Sequence, residues 1–372
     1  MKILQLIYES LGNPYGTGGG TIRAYEIYKR LKERHDITLV CMKYPGARDG
    51  DIQGLRHAFV GTESNSLTIS VLAYTLKASQ YVRKYGNNYD IIIENFIPMT
   101  PFFSKFLTET PSILQVQGIT GLHSFKKYNP LYSLPMYIVE SIYPLLYDKF
   151  IFVTDAGMGK LKKRSKNYAT IPNGIDRGLL EIDPEEEDDY ILFLSRIDTY
   201  TKGLDILLDA FVSVSERFKD IKLVLAGYEF NSVDKLIRRV PEGLRERVIY
   251  AGFVQGEEKV KLMAGAKVFV LPSRHEAHPV SILEAMACGK AVISSDIPEL
   301  GYIAKEGIGL TFKSGSSQDL ADKLSVLLED KNLRKQLGDK GRIYTSMFLW
   351  DEIALMFEQF LTRIIQKAGE SM

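Results

Sequence analysis

The sequence predicts an α/β fold of two tandem domains, each a parallel sheet covered by helices on both faces. Three observations carry this. Short apolar, β-branched runs alternate with stretches of helical periodicity. A strand opens at residues 2–8, and a fresh one at Tyr190-Ile191-Leu192-Phe193-Leu194. Between them Asp183-Pro184-Glu185-Glu186-Glu187-Asp188-Asp189 has no apolar side chain and reads as a solvated linker. A length of 372 residues suits two cores better than one.

The first domain opens as a βαβ unit. Strand 2–8 is followed by the turn Gly16-Thr17-Gly18-Gly19-Gly20, then by a helix over about 21–34 with Ile22, Ala24, Tyr25, Ile27, Tyr28 and Leu31 as its stripe, then by strand 36–42. Further strands are expected at 90–94, 112–116, 149–154 and 168–171, with helices at 70–84 and 135–147. Residues 45–61 and 120–135 are expected as loops. Phe125, Tyr128, Leu131, Tyr132 and Leu134 in the second loop either pack against helices or face an acceptor. In the second domain strand 190–194 leads to helix 204–218, strand 221–226 and strand 248–251. Helix 257–263, strand 268–270, helix 281–287 and strand 291–294 follow. A last amphipathic helix covers 349–366.

Composition narrows the function classes. With 45% hydrophobic and 25% charged residues the chain is globular, and a net charge of +1 gives no field for a nucleic-acid partner. Residues 1–184 carry 22 Lys and Arg against 16 Asp and Glu, and the remainder 25 against 30. The basic half, with Lys160, Lys162, Lys163, Arg164 and Lys166 on one segment, suits an acidic acceptor or an anionic membrane surface, or is ordinary solvated surface. Cys41 and Cys288 lie in apolar settings far apart, which excludes a disulfide scaffold. The apolar start at Ile3 is too short for a signal peptide or a span, so a cytoplasmic protein is expected, with a peripheral contact to the cytoplasmic membrane face left open.

Three clusters carry chemistry. Gly19 and Gly20 follow the first strand and open a helix, where backbone N–H groups can meet an anion; they fit neither the Gly-x-Gly-x-x-Gly nor the Walker spacing, and a flexible lid is the other reading. Arg196 follows the first strand of the second domain, and Lys202 precedes its first helix. That end of a parallel sheet is where such folds bind ligands, and a planar fork with a point charge suits a diphosphate; two ordinary surface cations is the alternative. Glu276 on a loop and Glu284 in a helix frame the stretch containing Val280, Ser281 and Ile282. Carboxylates so placed must be paired, solvated or functional; sugar hydroxyls are natural partners, and the neighbouring cations favour that reading over the hydrolase acid/base work that two carboxylates alone suggest. His275, Glu276 and His278 do not form a His-Glu-x-x-His pattern, and spacing assigns no further ligand, so no metal is expected.

Taken together these segments resemble the retaining, nucleotide-sugar-dependent glycosyltransferases grouped as family 4. The strongest match is Leu271-Pro272-Ser273, Glu276 and Glu284-Ala285-Met286-Ala287-Cys288-Gly289-Lys290-Ala291-Val292-Ile293. Weaker ones are Gly19-Gly20-x-x-Arg23, Ile171-Pro172-Asn173-Gly174-Ile175-Asp176, Ser195-Arg196 with Lys202-Gly203, Gly227 with Glu229, and Phe348-Leu349-Trp350. The resemblance implies the GT-B architecture, two Rossmann-like domains whose parallel sheets face a central cleft. It implies an N-terminal acceptor-side domain over 1–182, the linker 183–189, a donor domain over 190–348, and a helix over 349–372 that crosses back to the N-terminal domain.

By position, Arg196 and Lys202 would neutralise the donor diphosphate, Glu276 would contact the donor sugar, and Glu284 would bind the ribose. Gly19 and Gly20 would face the donor phosphates or the acceptor, and Gly227, Val280, Ser281 and Ile282 complete the donor set. Gln117, His278, Arg23 and His123 are candidate sugar or acceptor contacts. The partners implied are a nucleotide-diphosphate sugar and a glycan, lipid-linked or small-molecule acceptor, with no metal and no cofactor. The chain departs from the family at Gln117-Gly118, where His-Gly is common, and at Ala277-His278-Pro279. Gln117 keeps open a non-catalytic sugar-nucleotide-binding partner subunit, and the architecture keeps open a sugar-nucleotide epimerase. A phosphorylase would need a marked pyridoxal-phosphate lysine, and an oxidoreductase the dinucleotide fingerprint.

Overall fold

The structure is a computed structural model that describes residues 1–13, 18–127, 129–183 and 187–370. The chain divides into two compact units, Met1–Asn173 with Trp350–Met372, and Gly174–Leu349.

The first unit holds β1 (Lys2–Leu6), β2 (Asp36–Met42), β3 (Gly50–Ile52), β4 (Leu55–Val60), β5 (Ile91–Phe96), β6 (Ser112–Val116), β7 (Lys149–Phe152) and β8 (Asn167–Thr170). They lie in the order β3-β4-β2-β1-β5-β6-β7-β8, antiparallel at β3–β4 and parallel elsewhere. Its helices include α1 (Gly19–Leu31), α2 (Leu67–Tyr85), α3 (His123–Lys127), α4 (Pro130–Ile142) and α5 (Gly159–Arg164). The register puts Leu4, Ile92, Glu94, Leu114 and Phe150 on one face of the sheet. Val71 and Tyr74 of α2, Tyr143 and Tyr147 after α4, and Leu161 of α5 pack against that face. On the other face Tyr28 of α1 donates its hydroxyl to Gln5 Oε1 at 2.6 Å.

Residues 45–61, expected as a loop, contain β3 and β4. Leu55, His57 and Phe59 turn inward in alternation, so the segment is a half-buried strand. Residues 120–135 hold α3 and the start of α4. Asn129 caps α4 by accepting from the Leu131 N–H, which moves the helix start ahead of Pro135 to Pro130.

The second unit holds β9 (Tyr190–Leu194), β10 (Lys222–Ala226), β11 (Val248–Gly252), β12 (Val268–Leu271), β13 (Val292–Ser295) and β14 (Leu310–Phe312). All neighbours are parallel in the order β11-β10-β9-β12-β13-β14. Its helices include α6 (Leu204–Ser215), α7 (Val233–Ile237), α8 (Gly256–Ala264), α9 (Val280–Ala287), α10 (Gly301–Lys305), α11 (Ser317–Glu329) and α12 (Lys331–Thr345). From β9 the chain winds outward through β10 and β11, then returns to the other side of β9 as β12. The carboxyl ends of β9 and β12 are therefore the topological switch point. The final helix, α13 (Trp350–Gly369), belongs to the first unit, where Phe357 meets the Tyr28 ring edge-on.

The chain enters the second unit before the acidic run. Ile175 and Leu179 are buried in that unit's core, and the Ile175 N–H donates to Phe348 O at 2.7 Å. Pro184, Glu185 and Glu186 lie outside the described residues. Glu187 accepts from the Arg334 guanidinium at 2.5 Å, and the Asp188 N–H donates to Gly265 O at 2.9 Å, so the end of the run is tied to this unit.

Candidate functional site

The switch point of the second unit gathers Arg196, Lys202 and Glu276. Gly203, with φ of +66°, lies so close to the end of β12 that a Cβ there would sit 2.0 Å from Pro272 O. Only glycine tolerates both the left-handed backbone and the approach. The Arg274 N–H donates to Thr201 O at 2.9 Å, docking the loop after β12 on the turn after β9. This brings Lys202 Nζ to 2.6 Å from Glu276 Oε1, which also accepts from Ser273 Oγ at 2.6 Å. Both partners are largely buried, with side-chain exposures of 14% and 7%. A buried carboxylate is held there by one cation and one hydroxyl, at a sheet end where small ligands bind.

Arg196 is more open. It lies 3.3 Å from Asp198 Oδ2 and stacks over Phe230, leaving part of its fork toward solvent. A second buttress was not legible in the sequence: Arg274 pairs with both carboxylate oxygens of Asp205, at 2.7 and 2.6 Å. The fork-on-fork geometry clamps the start of α6 to the loop carrying Glu276.

Helix α9 opens on Pro279 without a side-chain cap. The first-turn N–H groups of Val280, Ser281 and Ile282 therefore lack intrahelical acceptors. Ile282 buries its side chain, so only its backbone is open to a ligand. Glu284, one turn further, accepts from Lys259 Nζ of α8 at 2.7 Å. Lys259, like Arg274 and Asp205, was not legible in the sequence. His278 is buried, with its ring 5.9 Å from that of Tyr302 and 5.8 Å from that of Phe348.

Gly227 has φ of +141°, and a Cβ on it would meet Ser195 O at 1.9 Å. The close approach of the β9 and β10 ends by itself accounts for glycine there. Glu229 caps α7, accepting from the Val233 N–H at 2.9 Å.

In the first unit Gly16 and Thr17 lie outside the described residues. Gly19 opens α1 with free space around it, and Gly20 faces Gln117, whose Nε2 would lie 3.3 Å from a Cβ. Gln117 itself donates to Asn95 Oδ1 at 3.1 Å. The anion at this helix end is the chain's own Glu9, which accepts from the Gly18 N–H and Thr21 Oγ1, each at 2.8 Å. Arg23 is fully buried. Its NH1 donates to Pro172 O and Asn173 Oδ1 at 2.6 and 3.1 Å, and among the described residues its Nε and NH2 have no acceptor. Burial pulls this guanidinium down to about 9, which leaves it charged at neutral pH. His123 is the exposed first residue of α3. Phe125 packs on Tyr137, whereas Leu131, Tyr132 and Leu134 are exposed; Tyr128 lies outside the described residues. Among the described residues no three His, Cys, Asp or Glu side chains are grouped to hold a metal, and no helix is long and apolar enough to cross a membrane.

Residues 181–344 match the family described as Glycosyl transferases group 1, and residues 17–179 match Glycosyltransferase Family 4. An uncharacterized glycosyltransferase of Methanocaldococcus jannaschii is 25% identical over 95% of this chain and 97% of its own length. The sucrose-phosphate synthase of Thermosynechococcus elongatus superposes with a TM-score of 0.81 at 20% identity, covering 98% of this chain and 99% of that one. The Anabaena protein HepE, crystallised with UDP-glucose, does so with a TM-score of 0.76 at 19% identity, covering 98% of this chain and 100% of its own. The two family matches fall one on each unit, and the paired parallel sheets are those of the GT-B fold. The chain therefore belongs to the group 1, family 4-like glycosyltransferases.

Proposed function

We propose that the protein moves a sugar from a nucleotide-diphosphate donor to a hydroxyl of a glycan, lipid or small-molecule acceptor, with retention of anomeric configuration. The observation that carries the reading is the buried Lys202–Glu276–Ser273 constellation at the switch point, beside the uncapped end of α9. In the reaction the bond from the anomeric carbon to the diphosphate oxygen breaks. The acceptor oxygen takes its place, and its hydroxyl proton passes to the departing diphosphate. Negative charge grows on the diphosphate as the bond breaks. Lys202, Arg196 and the first-turn amides of α9 act on that charge, and they are oriented before the reaction begins. Glu276 then takes sugar hydroxyls, and Glu284 takes the ribose.

HepE binds UDP-glucose, which supports uridine diphosphate sugars as the first donors to try. The test is a panel of nucleotide sugars, each with and without chelator, followed by nucleotide release and by the anomeric configuration of the product. Release of nucleoside diphosphate that chelator leaves unchanged, with a retained anomer, is expected. Binding of donors without turnover on any acceptor, or an inverted product, would overturn the reading.

Lys259 supplies a smaller test. Its ammonium fixes the Glu284 carboxylate at 2.7 Å, so it acts as a positioning residue for the nucleotide end of the donor. Lys259→Met is expected to raise the donor KM by about three- to tenfold, with kcat within about twofold, and Lys259→Arg to restore it. Steady-state kinetics at saturating acceptor measures both.

A further inference from the structure

Helix α4 carries its polar groups inward and its apolar groups outward. Ser133 Oγ donates to Ser124 O at 3.0 Å, and the Glu140 carboxylate accepts from the Thr120 and Gly121 N–H groups, each at 2.6 Å. On the turn that follows, the Tyr147 hydroxyl donates to the buried Glu94 at 2.7 Å. The outer line, at helical spacing, is Leu131, Leu134, Ile138 and Ile142, which are 78, 52, 46 and 55% exposed, against 0% for Ser133 and 6% for Glu140. A water-facing helix has the opposite arrangement. Glu140 is the one charged residue of Pro130–Ile142, so the outer face carries no charge.

The apolar surface does not stop at α4. The Phe103 N–H donates to the Tyr143 hydroxyl at 2.6 Å, and Phe103 and Phe106 are both exposed beside it. Ser79 of α2 in turn donates to Phe102 O at 3.0 Å, and α2 exposes Leu72 and Leu76. Three neighbouring elements on one face of the sheet thus present large apolar side chains together. Cations border them. Lys126 of α3 is exposed next to α4, and α5, which shares the Tyr143–Tyr147 core, exposes Lys160, Lys163 and Arg164.

We propose that this face of the first unit seats the protein on an anionic lipid bilayer. Its apolar side chains lie in the interfacial layer, its cations meet acidic headgroups, and the exposed Tyr132 ring sits at the boundary. Charge complementarity selects lipid over a second copy of the chain. In a two-fold dimer through this face the lysines of one copy would meet those of the other.

The test mixes the full chain with phosphatidylcholine vesicles, with and without phosphatidylglycerol, and follows co-sedimentation. Binding to the anionic vesicles that weakens as salt rises is expected. Ile138→Asp with Ile142→Asp is expected to lower vesicle affinity by about tenfold or more while leaving the thermal midpoint in place. Lys160→Glu with Lys163→Glu is expected to weaken binding to the anionic vesicles. Tyr132→Trp gives a readout that needs no disruptive substitution: its emission moves to the blue on anionic vesicles. Absence of binding at every composition would overturn the proposal, as would a dimer that the two aspartates dissociate while vesicles stay unbound.

Discussion

Lys202→Ala is expected to lower kcat/KM for the donor by about 10²–10³-fold, the range seen when one preorganised donor to a developing anion is removed. Lys202 is a stronger candidate than its spacing in the sequence suggests. Its ammonium is mostly shielded from water, so an anion placed beside it would be screened far less than one beside a surface lysine. Removing it also leaves Glu276 buried with Ser273 and without its cation. Glu276→Gln keeps the shape and the serine contact while deleting the charge, and is expected to lower kcat by about 10²-fold. The two residues touch, so their effects should not add: the double variant should lose clearly less than the product of the single losses. Initial rates of nucleotide release, with thermal midpoints as the control, measure this. If both single variants turn over normally, the donor does not sit at this constellation, whatever the family.

The parts of the fold that could be read from sequence are those where one physical signal dominates. Parallel strands buried on both faces appear as unbroken apolar runs, which is why Tyr190-Ile191-Leu192-Phe193-Leu194 announces a new sheet. β4 does not, because its buried positions include His57 and its neighbours are Arg56 and Ala58. β3 is three residues, Gly50-Asp51-Ile52, without a side-chain pattern. Helix α12 was invisible because its buried line is built on Arg334, Gly338 and Gly341 as well as Leu337, and Gly338 is there to let the helix touch Gly289 O.

The site divides in the same way. Residue types near a motif were legible, and the pairs were not. Lys202 and Glu276 are 74 positions apart, and Arg274 and Asp205 are 69 apart; only the switch-point topology makes them neighbours. The glycine turn before α1 reads as an anion site or as a flexible lid, and no spacing rule reveals that Glu9 accepts hydrogen bonds at that helix end. The aromatic stretch at 125–134 reads equally as helix packing or as facing an acceptor, because both readings share one composition. The partners of Ser133 and Glu140 turn the polar side of α4 inward, which leaves Leu131, Tyr132 and Leu134 exposed while Phe125 packs on Tyr137.

The same inversion rests on a buried carboxyl of the first unit, Glu94. Glu94 is fully buried on β5. The Tyr143 hydroxyl, the Tyr147 hydroxyl at 2.7 Å and Ser104 Oγ at 2.8 Å all donate to it, so it ties the end of α4 and the 104–106 turn to the sheet. Burial raises its carboxyl above the ordinary 4.5, and these hydrogen bonds offset only part of the rise. Between the unfolded-state value and the raised folded-state one, the folded chain keeps a proton that the unfolded chain has released. Stability therefore falls as pH rises through that window, and is fully present below it. Glu94→Gln removes the titration while keeping hydrogen-bonding partners for the hydroxyls, so the difference in slope between the two proteins isolates this group. Glu94→Leu leaves three buried hydroxyls without their acceptor and is expected to cost the first unit about 3 kcal/mol. Urea unfolding across the acid range, read through near-UV dichroism of the tyrosines, measures both. An unchanged slope in Glu94→Gln would mean that the carboxyl titrates alike in both states, the hydrogen bonds offsetting the cost of burial in full. The hydroxyl contacts are tested by the second variant: if Glu94→Leu cost little, Tyr143 and Tyr147 would be held by packing, and the outward face of α4 would rest on apolar contacts.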